Sequence, residues 1–313
     1  MGFHIEAGTR QAILERAKHL EHISAERIRV ELMKLLLSKC ASEIKEAYKT
    51  GMTAVFLPEF DKMMETDQQN VHHIYNCGEH SVHGIEVINH FFGCNDGVWD
   101  SSVVPAEVDQ VAKRLAADCS EKEHQILCLT LLLHDVAKPL CKVVDDQGMG
   151  HFYGHPAKGS ELAEQILRRL TFDNETIHAV KRLIYSHDDR VQPNSKSVRK
   201  AMSRIGSELM PLLILLQFAD ILSQNPITFE EKLDRVLGVE RSYQNILEAG
   251  EPLTVKDLAV SGNDLIALGL SPGPQFKEIL QSLLEMVLEE PDKNDREALL
   301  DIIKQQIQAE MNT

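Results

Sequence analysis

The apolar run Leu131-Leu132-Leu133 ends directly on His134 and Asp135, and this juxtaposition restricts what the chain can fold into more than any other feature. An ionised carboxylate at the edge of a core is costly unless a cation or a set of hydrogen bonds receives it. Adjacent residues on a helix point roughly 100° apart, so one metal beside the helix is within reach of both side chains. A buried His-Asp pair satisfied by hydrogen bonds alone is the plainer alternative. Asp220 poses the same problem. It follows PLLILLQFA, an almost wholly apolar segment, and needs either a metal or a salt bridge from Arg or Lys.

The rest of the chain reads as helix, and the expected fold class is all-α. Aromatics make up only 5% of the 313 residues, whereas Leu, Ile, Ala, Glu, Lys and Arg are frequent, a mixture that favours helices over sheets. Thr9 is the expected cap of a helix over 10–23, and Ser24 of one over 25–38 in which Ile28, Leu32, Leu35 and Leu36 recur at helical spacing. Pro58 breaks the pattern, 61–76 is polar and reads as irregular, and 93–103 reads as a loop. Further helices are predicted over 79–92, 105–117, 121–138, 157–170, 173–186, 195–205, 207–224 and 228–248. Residues 250–262 form a connection, followed by short helices over 263–268, 274–289 and 294–309. No strand alternation persists long enough to predict a sheet. Boundaries near 65 and 250 divide the chain into an N-terminal helical segment (1–65), a middle catalytic unit (66–250) and a helical tail (251–313).

Other potential ligands stand beside helical apolar runs: His80 in GEH, His151 and His155 in HFYGHP, and His187 with Asp188 and Asp189 in LIYSHDDR. Taken singly, each histidine has an ordinary reading. His80 and His155 can start helices, and His187 can cap carbonyls at a helix end. His151 competes with His155 for the same role. Their joint order is more telling. His80, His134-Asp135, His155, His187 and Asp220 follow one another on successive helices, with gaps of 54, 21, 32 and 33 residues.

Formal net charge is −15, a field that repels polyanions, so any RNA or nucleotide contact has to be local. One such place is 181–204, where Lys181, Arg182, Arg190, Lys196, Arg199, Lys200 and Arg204 face Asp188 and Asp189 for a net +5; a solvated helix face is the alternative. Residues 251–313, with 12 acids and 5 bases, are at −7. The six cysteines, Cys40, Cys77, Cys94, Cys119, Cys128 and Cys141, contain no C-x-x-C. With no signal peptide and no uniformly apolar run of transmembrane length, a reducing cytoplasm is the expected compartment.

The ligand order resembles that of the HD phosphohydrolase superfamily, whose H…HD…D pattern binds a divalent metal. The resemblance implies a helical HD-domain bundle flanked by helical segments, with His80, His134, Asp135 and Asp220 at a first site. His155 and His187 match the extra histidines of two-metal members, with Asp135 bridging. Lys138 matches a basic residue that faces the phosphate. Imidazole with carboxylate suits Mn, Fe, Co, Ni or Zn, and the absence of a cysteine ligand argues against a purely structural zinc site.

A second resemblance covers nearly the whole chain. GFHIEAGTRQAI, SAERIRVELMKLLLS, LPEF, NVHHIYNCGEH and LAVSGNDLIALGLSPGPQFKEIL are similar, in order, to the C-terminal part of bacterial tRNA nucleotidyltransferases, the CCA-adding enzymes that carry an HD domain. That family polymerises with a head containing a Gly-rich strand-turn and a D-x-D pair. Neither is in this sequence, so no nucleotide addition is expected from this chain alone.

Together these features lead to the expectation of an HD-family metal-dependent phosphohydrolase, a phosphodiesterase or phosphatase acting on a nucleotide or on a cyclic or terminal RNA phosphate. Asp135 and Lys138 would be catalytic, and the basic run after His187 would hold the rest of the substrate. Two other readings stay open: a tRNA-binding C-terminal part of a tRNA nucleotidyltransferase with no catalysis of its own, and a nucleotide-binding regulatory module. The number of metals, one or two, is also open.

Overall fold

The computed structural model describes residues 5–69, 74–94 and 100–311. Gly2 to His4, Asn70 to His73 of the NVHHIYN stretch and residues 95–99 of the expected 93–103 loop lie outside the described residues. The fold is all-α apart from two short strands. It comprises two compact units, residues 1–189 with 211–236 and residues 190–210 with 237–313. The N-terminal segment 1–65 falls within the first unit, and the tail 251–313 within the second.

In the first unit, α1 (Ala7–Arg16) is capped by Glu6, whose carboxylate accepts the Thr9 amide at 2.9 Å. This corrects the expected Thr9 cap and the single helix over 10–23: Glu6 takes the capping position earlier, and Ala17–His22 tightens into a 3-10 turn. The helix α2 (Ala25–Leu36) begins directly after Ser24, although the Ser24 hydroxyl makes no capping bond. Three short helices follow: α3 (Ile44–Lys49), α4 (Thr53–Phe56) and α5 (Pro58–Met64). Pro58 thus opens a helix, since a missing N–H is harmless at the first helical position. The start of the segment expected to be irregular completes α5, because Phe60 and Met63 bury there.

The site is built on the next helices. Asn76 caps α6 (Cys77–Phe91) by accepting the Glu79 amide at 2.8 Å. After α7 (Ala106–Ala117), Ser120 and Glu123 form a capping box that starts α8 (Glu121–Leu133). This helix is buried from Ile126 to Leu133, and each large apolar side chain contributes about 1.5–3 kcal/mol of gross burial energy. It packs against α6 and against α11 (Asn174–Ser186), which pairs with α10 (His155–Arg169). The expected helix over 121–138 stops at Leu133. His134–Ala137 turn away, and α9 (Lys138–Cys141) restarts the helix; Pro139 lacks the N–H that would bond the Asp135 carbonyl. A two-residue antiparallel ladder, β1 (Val143–Val144) with β2 (Gly150–His151), leads from α9 towards α10, where Gly154 turns the chain at φ +72°. Then come α12 (Ser195–Ile205), α13 (Met210–Leu222), preceded by a 3-10 turn over Ser207–Leu209, and α14 (Phe229–Ala249).

The second unit adds α15 (Gly262–Ala267), α16 (Pro274–Glu289) and α17 (Arg296–Met311) to α12. Buried Arg199 of α12 donates to the Leu288 and Glu289 carbonyls at the end of α16 and pairs with Glu251 at 2.6 Å. Lys196 and Lys200 flank Glu289 at 3.1 and 2.8 Å, and their hydrogen bonds draw its carboxyl down to about 2. Much of the basic run is therefore neutralised by acids distant in sequence rather than presented as an open cationic surface. Lys181, in the first unit, likewise pairs with Glu164. Among the described residues, no single helix is long and apolar enough to cross a membrane.

The first turn of α6 meets the end of α5 closely. A Cβ added at Gly78 would lie 2.5 Å from Met64 Sδ and 2.9 Å from the Met64 backbone nitrogen. Gly→Ala inside a helix ordinarily gains about 1 kcal/mol, but crowding of this kind costs about 1–3 kcal/mol. Gly78→Ala is therefore expected to lower stability in urea unfolding. An unchanged or raised midpoint would show that α5 moves aside freely.

Candidate metal centre

Among the described residues, two clusters share Asp135. The ligand atoms of His80, His134 and Asp135 lie within 4.8 Å of one another, as do those of Asp135, His155 and His187. At the first, His80 Nε2 is 2.9 Å from Asp220 Oδ1 and 3.3 Å from His134 Nε2, which lies 3.2 Å from Asp135 Oδ2 and 3.4 Å from Asp220 Oδ1. At the second, the Nε2 atoms of His155 and His187 are 3.2 Å apart, at 3.4 and 3.9 Å from Asp135 Oδ1. Ligands held at about 2.0–2.2 Å around one tetrahedral metal are separated by about 3.3–3.6 Å, close to these spacings.

All four imidazoles are oriented alike. The Nδ1 atoms of His134, His155 and His187 donate to the carbonyls of Leu131, Phe152 and Ile184 at 2.8, 2.8 and 2.6 Å. That of His80 donates to Ser223, whose Oγ and carbonyl oxygen lie at 3.0 and 3.2 Å. These bonds place a proton on each Nδ1 and turn each Nε2 towards a neighbouring Nε2 or a carboxylate. Backbone and hydroxyl partners at Nδ1 are the usual support of a metal-binding histidine.

Asp135 concentrates the demand for positive charge. Both its oxygens are buried without a well-directed hydrogen bond; Lys138 Nζ lies 2.7 Å from Oδ2. Burial would raise the Asp135 carboxyl, but the charges of His134 and Lys138 outweigh it and hold the group well below the carboxylate range. Burial opposes protonation of His134 as well, yet Asp135 and Asp220 lift it to about 10, while burial and the neighbouring His134 charge press His187 down to about 3. The cluster thus requires a cation, a proton on His134 or a metal ion, and a donor set of imidazoles and carboxylates fits a divalent metal.

Of the candidates read from sequence, His80, His134, Asp135, His155, His187 and Asp220 come together. His151 does not: it bonds Asp145 Oδ2 at 2.8 Å within the hairpin, so of the two rivals His155 occupies the cluster. Lys138 is buried, with Nζ donating to Gln68 Oε1 at 2.7 Å as well as facing Asp135. Sequence reasoning missed Gln68, Ser223 and Gln224, the last donating to Asp220 Oδ2 at 2.9 Å. The only signal for Ser223 and Gln224 was their position three and four residues after Asp220, one helical turn on.

Comparison with known proteins adds what geometry leaves open. Residues 2–64 match a family described as the probable RNA and SrmB-binding site of polymerase A, and residues 157–303 match a family described as putative tRNA nucleotidyltransferase domain 2. The CC-adding tRNA nucleotidyltransferase of Thermus thermophilus is 31% identical over 91% of this chain and 59% of its own length. The A-adding tRNA nucleotidyltransferase of Deinococcus radiodurans is 28% identical over 91% of the chain and 60% of its own. The chain is thus similar to tRNA nucleotidyltransferases over most of its length. It spans about three fifths of the length of these two relatives. A bifunctional uridylyltransferase/uridylyl-removing enzyme of Bradyrhizobium is 26% identical over 72% of the chain and 23% of its own length.

These findings correct the expectation of an HD-family phosphohydrolase acting on a phosphoester. The first two relatives and the family matched over 157–303 are described as tRNA nucleotidyltransferases, and a set of metal donors specifies affinity for a cation, not the bond that is made or broken.

The shared carboxylate makes metal content the direct test of the centre. Purified protein is expected to hold close to two divalent ions per chain by elemental analysis, falling to about one in His155→Ala and to nearly none in Asp135→Ala. Content near one, unchanged by His155→Ala and His187→Ala, would remove the second cluster from the metal centre.

Proposed function

We propose that this chain is the tRNA-binding C-terminal part of a nucleotide-adding enzyme, gripping its RNA without catalysis of its own. The observation that carries this reading is the ordered pair of family matches, an RNA-binding one at 2–64 and a tRNA nucleotidyltransferase one at 157–303. Charge supports the placement of the RNA contact. Residues 2–64 hold ten Lys and Arg against nine Asp and Glu, whereas the rest of the chain holds 23 against 39. Within that segment Arg16, Lys18, Arg27 and Lys39 are exposed and make no ion pair among the described residues. They are free to meet phosphates; the cations of α12 that pair with Glu289 are not.

On this reading, His80, His134, Asp135 and Asp220 would hold one divalent transition metal (Mn, Fe, Co, Ni or Zn), and Asp135, His155 and His187 would hold a second. Imidazole and carboxylate ligands favour such ions. A reducing cytoplasm suits the six free cysteines.

Titration of a fluorescent tRNA at several salt concentrations tests the reading. Affinity is expected to fall steeply with salt, with a log–log slope of roughly −0.9 per phosphate contacted on duplex RNA-like backbone. Arg27→Glu with Lys39→Glu is expected to weaken binding and flatten the slope, while Lys200→Glu leaves both as they were. Absence of salt-dependent tRNA binding by the metal-loaded protein would overturn the proposal.

A further inference from the structure

Four helices of the first unit reach the metal clusters with one end; α6, α10 and the turn before α11 meet the segment 25–60 at the other, and α8 meets it through Asn89 of α6 and through the Cys128 thiol. His80 lies in the first turn of α6, and Asn89, near its far end, donates to the Leu36 and Ser38 carbonyls at 2.8 and 3.1 Å. His134 follows the last residue of α8. Near the start of α8, His124 Nε2 donates to Asn89 Oδ1 at 2.9 Å and so orients that amide. His155 begins α10, and Arg169 ends it, forming a bidentate pair with Glu59 at 2.9 and 2.6 Å. His187 follows α11, and the turn before α11 carries Thr171, whose carbonyl accepts from Arg29, and Phe172, whose ring lies 5.7 Å from the Arg29 guanidinium. Helices of 13 to 15 residues place the two sets of contacts about 20 Å apart.

The far-end contacts meet a specific need. Leu36 closes α2, and the last carbonyls of a helix have no partner within it. Asn89 supplies one of the donors that let α2 end in a buried position, fully enclosed between Leu36, Cys128 and His124. Arg29, Asn89 and Arg169 therefore seat the segment on helices whose opposite ends carry the facing imidazole pairs.

We propose that the metal centre is a brace: bound metal locks the near ends of α6, α8, α10 and α11, and their far ends then hold 25–60 in the position that binds RNA, with Arg29, Asn89 and Arg169 as positioning residues. The brace rests on the reading of 2–64 as the RNA-binding segment. It makes RNA affinity depend on a metal that touches no RNA.

Hydrogen–deuterium exchange over peptides of 25–60 and tRNA titration, applied to metal-loaded protein, to chelator-stripped protein and to two variants, test it. Stripping is expected to raise exchange across 25–60 and to weaken tRNA binding roughly tenfold. Asn89→Ala and Glu59→Ala are expected to retain their metal and still show both effects. Glu59→Ala is the sharper arm, because deleting an acid would strengthen binding if charge alone mattered. Should stripping unfold the protein, these two variants decide. Unchanged exchange over 25–60 after verified metal loss, full tRNA affinity in both variants, or a protein that retains no metal would each overturn the brace. If metal-loaded protein binds no tRNA, the functional reading fails, and the exchange response of 25–60 alone decides the brace.

Discussion

Asp135 is a buried carboxylate whose two oxygens face four imidazole nitrogens, and the first unit is arranged around that charge. Removing an ion from water costs several kcal/mol even after relaxation, and a single ion pair seldom repays it. Lys138 meets one oxygen only. The remaining demand falls on a proton or a metal ion among His80, His134, His155 and His187, each ring steadied by an acceptor at its far nitrogen.

The backbone departs from regular helix beside this charge. His134 and Asp135 follow α8 directly, and Pro139, which has no N–H for the Asp135 carbonyl, lies one turn further on in α9. The hairpin and Gly154 then return the chain so that His155 enters at the first position of α10, its Nδ1 held by the Phe152 carbonyl.

Residues that interrupt apolar runs were legible in the sequence. His134, Asp135 and Asp220 each break a stretch of leucines, and the cost of burying them makes them conspicuous. Residues that serve by hydrogen bonding were not. Gln68 lies in an irregular stretch, and Ser223 has the composition of any helix end, so nothing in their surroundings separates them from solvent-facing neighbours. His151 and His155 could be told apart only by Asp145, a turn residue whose side chain reaches His151. Helix extents were read well where apolar spacing was strong, as over α12 and α14, and poorly at caps, where Glu6 displaced Thr9. Chemistry was least legible. Imidazoles and carboxylates around a metal are shared by sites that hydrolyse and sites that only hold, so the ligand set favoured a reaction that the relatives do not support.

Net charge is a poor guide to partner for a related physical reason. Exposed charges more than about 8–10 Å apart are largely screened at physiological salt, so a polyanion responds to the few cations it touches rather than to a total of −15. In the second unit two acids of the tail pair within the protein itself, Glu289 with Lys196 and Lys200 and Glu251 with Arg199. The segment with the nearest balance of charges keeps several cations exposed. An acidic protein can in this way confine a phosphate-binding surface to one small region while the remaining surface repels non-specific contact, which restricts where RNA can settle as effectively as added attraction would.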